Sequence, residues 1–164
     1  EDAARLSHDV QALPRELHPS IAEDPGLAFA ADALCRRVAQ REKTAIRFHQ
    51  SGADDGLPRD AAVCLYRVLQ EGLRNVTRHA RATRVTVTLD VGDRDASLRV
   101  EDDGVGFEAG KAGRGLGLSS KRERVALVEG QLRLHSRPGE GTEVVARVPV
   151  GGAGGNGRSV AGRS

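Results

Sequence analysis

Glu71 and Asn75 stand four residues apart in a stretch whose apolar residues recur at helical spacing, so one side chain lies a turn above the other. Both fall at the edge of the apolar arc, where a polar group needs a partner. An asparagine oxygen is a hard donor suited to Mg²⁺, whose other positions go to phosphate oxygens and water. An ordinary hydrogen bond to a neighbour would satisfy the same pair. Further along, Asp102-Asp103-Gly104-Val105-Gly106 closes an alternating strand. Strand parity turns Asp102 to the same side as Leu98 and Val100, into the core layer. A carboxylate there is costly unless a donor meets it. The exocyclic amine of adenine is such a donor, and Gly104 and Gly106 let backbone approach a flat ring because no Cβ stands in the way. A glycine turn capped by an aspartate accounts for the same residues without a ligand. Gly113-Arg114-Gly115-Leu116-Gly117-Leu118 leads into a helix N-terminus, where free N–H groups and the positive helix end favour phosphate. It is no Walker loop, since no Gly-Lys-Ser/Thr follows. Thr142 shares parity with Val144 and Ala146, so it can reach the pocket of Asp102 directly or through water; an ordinary strand threonine is the alternative.

These residues need elements to hold them, and the hydrophobic pattern supplies them. Leu6, Val10, Leu13 and Leu17 mark a helix over 2–18, interrupted by Pro14. A second helix runs from about Leu27 to Glu42, and a short strand from Ala45 to His49. Pro58 suits the first turn of a long helix reaching Ala80, with Leu65, Val68, Leu69, Leu73 and Val76 on its inner arc. Two alternating strands follow, turning at Gly92–Asp95: Val85, Val87, Leu89 and Val91 share one face of the first, and Ala96, Leu98, Val100 and Asp102 one face of the second. After the glycine segment come a helix over 118–128 and strands over 131–136 and 142–150, joined by Pro138-Gly139-Glu140-Gly141. The order predicts an α/β (α+β) two-layer sandwich, a mixed sheet covered by helices on one face and preceded by a helical segment. Three parts are expected: helical residues 1–43, a ligand-binding domain over 44–150, and a Gly/Ala/Ser/Arg tail over 151–164 too poor in apolar residues to order.

Composition narrows the classes. With no Trp or Met, one Tyr and three Phe, the core must be aliphatic. A formal net charge of +2 gives no call for nucleic acid or an anionic membrane surface. Cys35 and Cys64 lie in apolar helical patterns without metal spacing or a disulfide framework, as expected of buried thiols in a reducing, cytoplasmic setting. No stretch reaches the ~20 apolar residues of a membrane span, and no signal peptide opens the chain. The expectation is a soluble piece with no direct membrane contact; a parent with upstream spans remains compatible with it.

Taken together and in this order, the motifs are far more specific than any one alone. YRVLQEGLRNVTRHA (66–80), VEDDGVGF (100–107), GRGLGLSSKRERV (113–125) and PGEGTEVVARVPV (138–150) resemble the N box, the two glycine boxes and the closing hairpin of the GHKL superfamily. That superfamily includes histidine kinases, type II topoisomerases, Hsp90 and MutL. The match is nearest to sensor kinases of the NarX/DesK type, and LPRELHPSIAEDPGLAFAADAL (13–34) resembles the second helix of their dimerisation hairpin and the link to the ATP domain. The resemblance implies the Bergerat fold, ATP with Mg²⁺, a homodimer through that hairpin in the parent protein, and a response-regulator receiver domain as partner. It implies that Asn75 ligates Mg²⁺, Asp102 binds the adenine amine with support from Thr142, Gly104 and Gly106 shape the adenine wall, and Gly115 and Gly117 lie near the phosphates. Glu71 would orient Mg²⁺ or its waters, while His79 and Arg78 follow the family's basic helix end. The chain departs from the pattern at Lys121, where Met is usual, at Glu129, where a Gly-Gly pair is usual, and at Gly72, where Ala is usual.

A histidine kinase also needs a nucleophilic imidazole with an acid beside it. His8-Asp9 has that neighbour, but Pro14, Pro19 and Pro25 leave no room for a hairpin after it, so the acceptor is expected outside this chain. Two rivals use the same features: a serine kinase acting on an anti-anti-sigma partner, and a nucleotide-responsive dimerisation module without transfer activity.

Overall fold

The computed structural model describes residues 26–108 and 118–151. The expected helix over 2–18, His8, the glycines at 113, 115 and 117, and the tail beyond Gly151 lie outside the described residues.

Helix α1 (Gly26–Glu42) opens the described chain and is followed by β1 (Ala45–Ser51). The first-turn amide of Ala28 donates to Asp54 Oδ2 at 2.7 Å, so a carboxylate from the following loop satisfies one of the helix's orphan donors. Helix α2 (Arg59–Asn75) starts right after Pro58, whose fixed φ suits a helix entry. Strands β2 (Arg84–Val91) and β3 (Asp95–Asp102), helix α3 (Leu118–Ala126), and strands β4 (Gln131–Ser136) and β5 (Thr142–Pro149) complete the order.

The five strands form one sheet in the order β1-β2-β3-β5-β4. β1 pairs with β2 in parallel, with α2 as the crossover, and the other pairings are antiparallel. This is the mixed α/β sheet expected. Alternation sets which face is covered: Val85, Val87, Leu89, Ala96, Leu98, Val100, Val144, Ala146 and Val148 are buried. Leu65, Leu69 and Leu73 of α2 are at most 1% exposed and share that core, as do Leu27, Ala31, Leu34 and Cys35 of α1. Each such leucine contributes roughly 1.5–3 kcal/mol by leaving water. Both cysteines are free and buried, and burial, with a smaller push from Asp32, raises the Cys35 thiol to about 12. Among the described residues no helix is long and apolar enough to cross a membrane.

Two helix ends differ from the sequence reading. The long helix does reach Ala80, but its last turn, Val76–Ala80, is π-helical and ends on Arg81 in the left-handed region (φ 49°). Single π turns of this kind occur often at functional sites. Helix α3 ends at Ala126 instead of Val128. The amide of Gly130 reaches the Val125 carbonyl at 2.9 Å and that of Glu129 the Ala126 carbonyl at 2.9 Å, the bond pattern of a Schellman stop. The residue that must then be left-handed is Glu129, at φ 57°. A glutamate thus occupies the position where glycine is least strained.

Candidate nucleotide-binding site

Asp102 ends β3 and faces inward as parity required, 8% exposed. Its Oδ1 accepts the Gly104 amide at 2.8 Å. Burial raises its pKa; the Gly104 amide lowers it, the neighbouring Asp103 raises it, and the Thr142 amide and Glu101 act more weakly in opposite senses. Asp103, one residue on, points the other way. It accepts the amides of Thr83 and Arg84 at 2.9 Å each and the Thr83 hydroxyl at 2.8 Å. Those bonds, chiefly the Arg84 amide, hold its carboxyl below the usual range. Asp103 therefore braces the loop after the π turn against the end of β3, while Asp102 faces a cavity.

The backbone after Asp102 is wedged between two other elements. The Val105 amide donates to the Ala80 carbonyl at 2.7 Å, and the Gly139 amide to the Val105 carbonyl at 2.7 Å. A Cβ on Gly104 would stand 2.2 Å from the Ala80 oxygen. Gly106 has φ 60°, and a Cβ there would stand 2.0 Å from the Arg137 oxygen. Both glycines are required by close backbone approach, which no side chain permits.

Ser136, at the end of β4, joins this loop to β5. Its hydroxyl donates to the Gly141 carbonyl at 2.8 Å and accepts the Phe107 amide at 2.9 Å. Thr142 Oγ1 lies 3.0 Å from the same oxygen. A hydroxyl has one proton, and that of Ser136 goes to Gly141, so Thr142 is the donor in this last bond. The threonine is then left with lone pairs to offer.

These parts enclose one cavity of about 330 Å³, a size suited to a small organic ligand. Asn75, His79, Asp102, Gly106 and Thr142 line it, with apolar walls from Val76, Ala80, Val100, Val105, Phe107, Leu134 and Val144, and Gly72 at its side. Its make-up is that of a ligand pocket: mostly apolar, with a few converging polar groups.

Four expected residues thus meet in one cavity: Asn75, Asp102, Gly106 and Thr142. Gly104 sits behind the wall and supplies the amide that fixes Asp102. His79 joins the lining, while Arg78 is exposed and does not. Glu71 is not part of the lining either. Its Oε1 lies 3.8 Å from the ammonium of Lys121, a side chain 6% exposed. Burial lowers the lysine's pKa, Glu71 raises it and Arg124 lowers it. Ser136 and the Lys121–Glu71 pair were absent from the sequence reading of the site. For Ser136 a signal existed, since it shares strand parity with Leu132 and Leu134.

Residues 60–152 match the family of histidine kinase-, DNA gyrase B- and HSP90-like ATPases. The chain is 38% identical over 153 residues to sensor histidine kinase MctS of Rhizobium johnstonii, covering 91% of this chain and 32% of that protein. It is 32% identical over 149 residues to the oxygen sensor histidine kinase NreB of Staphylococcus carnosus, covering 90% and 43% respectively. The chain therefore spans less than half the length of either relative. The histidine kinase domain of the Erythrobacter litoralis EL346 blue-light activated histidine kinase has the same fold, with a TM-score of 0.60 at 23% identity over 76% of this chain and 61% of that one. With the family matched across both the Asn75 helix and the closing hairpin, the chain belongs to the histidine kinase-, DNA gyrase B- and HSP90-like ATPases.

Proposed function

We propose that this chain is the Mg-ATP-binding catalytic part of a two-component sensor histidine kinase, which moves the γ-phosphoryl of ATP to a histidine for relay to a response-regulator aspartate. One observation carries the reading: the inward carboxylate of Asp102 and the amide of Asn75 line the same cavity. Asp102, its Oδ1 held by Gly104, has acceptor capacity left for the adenine amine. Thr142, already donating to Ser136, adds a second acceptor or holds a water. The apolar walls and the glycines cover the ring. Asn75 stands on α2 as a hard oxygen donor facing the cavity, which fits Mg²⁺. When bound, that ion would offset phosphate charge, and Glu71, a turn away, would orient its waters. His79 adds a donor at the same helix end. Gly115 and Gly117 complete the proposal as amide donors near the phosphates.

Transfer is an in-line displacement. An imidazole nitrogen forms a bond to the γ-phosphorus, the bond to the β–γ bridging oxygen breaks, ADP leaves, and a neighbouring acid takes the imidazole proton. Such chemistry is mostly positioning and electrostatics, and the pocket supplies positioning. The acceptor histidine is assigned to a dimerisation hairpin of the parent protein, a cytoplasmic homodimer; residues 1–43 link to it and 44–150 bind the nucleotide.

The test is incubation of the chain with γ-labelled ATP and a hairpin bearing the acceptor histidine. Acid-labile label on the hairpin, lost with Asn75→Ala, is expected. Acid-stable label would identify a serine kinase, and no label a module without transfer activity.

A further inference from the structure

Lys121 is the least expected charge in the structure. It lies on α3, is 6% exposed, and has Glu71 of α2 at 3.8 Å. An ammonium is rarely buried without an acid, because removing it from water is costly unless a partner compensates. The pair is asymmetric: the Glu71 side chain is 34% exposed, so part of its carboxylate still faces outward. Glu71 precedes Asn75 by four residues on one face of α2, and Asn75 lines the nucleotide cavity. Around the lysine, Arg124 is a second cation, which leaves Glu71 as the compensating charge among the described residues.

A carboxylate on a helix surface samples several rotamers, and each order lost costs entropy. An ammonium fixed by burial removes that freedom before any ligand arrives. We infer that Lys121 is a positioning residue for the nucleotide site, holding the Glu71 carboxylate ready beside Asn75 through the half-buried α3–α2 ion pair. It touches neither nucleotide nor metal; it acts through Glu71. The inference rests on the reading that Asn75 and Glu71 serve Mg²⁺, and it makes Lys121 matter for the Mg²⁺-dependent part of ATP affinity alone.

The experiment is calorimetric titration of the chain with ATP, in Mg²⁺ and in EDTA, alongside thermal melting. Lys121→Met should melt no earlier than the wild type, because an apolar chain of similar length fills the space without a buried charge. It should weaken binding about three- to tenfold in Mg²⁺, as expected for loss of one ion pair, and leave binding in EDTA unchanged. Glu71→Gln should give the same Mg²⁺-specific loss and also melt earlier, since it leaves the ammonium unpaired; adding Lys121→Met should restore the melting point without further loss of affinity. Full retention of the Mg²⁺ increment in Lys121→Met, equal weakening in EDTA, or losses that add to those of Glu71→Gln would each overturn the inference. Asn75→Ala separates the two levels. If it abolishes the increment while Lys121→Met keeps it, the positioning role alone fails. If it keeps the increment, the Mg²⁺ reading fails and takes the inference with it.

Discussion

Replacing Asp102 by asparagine keeps the shape of the side chain and reverses half of its hydrogen-bonding character. The amide oxygen takes over the Gly104 N–H, which Asp102 Oδ1 now accepts at 2.8 Å. The other arm becomes an NH₂ group, a donor where the adenine amine brings donors of its own. Losing a charge-assisted bond and opposing two donors costs about 2–3 kcal/mol, or roughly 30- to 150-fold in ATP affinity. Stability should move the other way. Burial raises the folded-state pKa of Asp102, so its contribution is fully present below the unfolded pKa and lost as pH rises through the folded one. Above the folded pKa that loss is complete, and Asp102→Asn avoids it. The variant should therefore melt no earlier than the wild type while binding ATP far more weakly. The same shift means that ATP affinity of the wild type should begin to fall on acidification above the range of an ordinary aspartate. The assay is calorimetric titration with ATP and with a triphosphate of purine riboside, which lacks the amine. Wild type and variant should bind the second ligand alike. Equal ATP affinity in the two proteins, or equal losses for both ligands, would refute the assignment of Asp102 to the amine.

Two backbone predictions follow from positive φ. Gly141 has φ 76°, and a Cβ on it would stand 2.0 Å from the Asp102 carbonyl oxygen. Gly141→Ala should lower the unfolding free energy by about 2 kcal/mol or more in denaturant titration, since strain and clash add, and should weaken ATP binding by shifting Asp102. Glu129, left-handed at φ 57°, should behave oppositely. Glu129→Gly should raise stability by up to about 1 kcal/mol by removing left-handed strain, with ATP affinity unchanged; a lower melting point would show that the glutamate makes a compensating contact.

The sequence carried the site's main geometry because two periodicities decide it. Alternation in β3 turned Asp102 inward, and the helical repeat of α2 set Asn75 at the edge of the apolar arc; both lie in the cavity. Alternation also held the signal for Ser136, which reads as a polar strand end until Leu132 and Leu134 are seen to share its face. The π turn had no such signal. Val76 to Ala80 continue the helical pattern, and the wider turn shows in the left-handed Arg81 and the Val105 amide on the Ala80 carbonyl. The Lys121–Glu71 pair was beyond reach for another reason. It joins residues fifty positions apart through the docking of α3, and a lysine within a run of charges reads as solvated. The placement of Glu129 was visible only as a missing glycine, whose meaning depended on the Schellman bonds.

ATP is expected to grip one pocket from two sides, at Asp102 and at Asn75. Heteronuclear NMR of the isotopically labelled chain, titrated with Mg-ATP, reads both sides at once. The backbone amide of Gly104, which binds Asp102, and the side-chain amide of Asn75 should shift along a single isotherm with one Kd. Separate isotherms, or a shift at one group and none at the other, would contradict it.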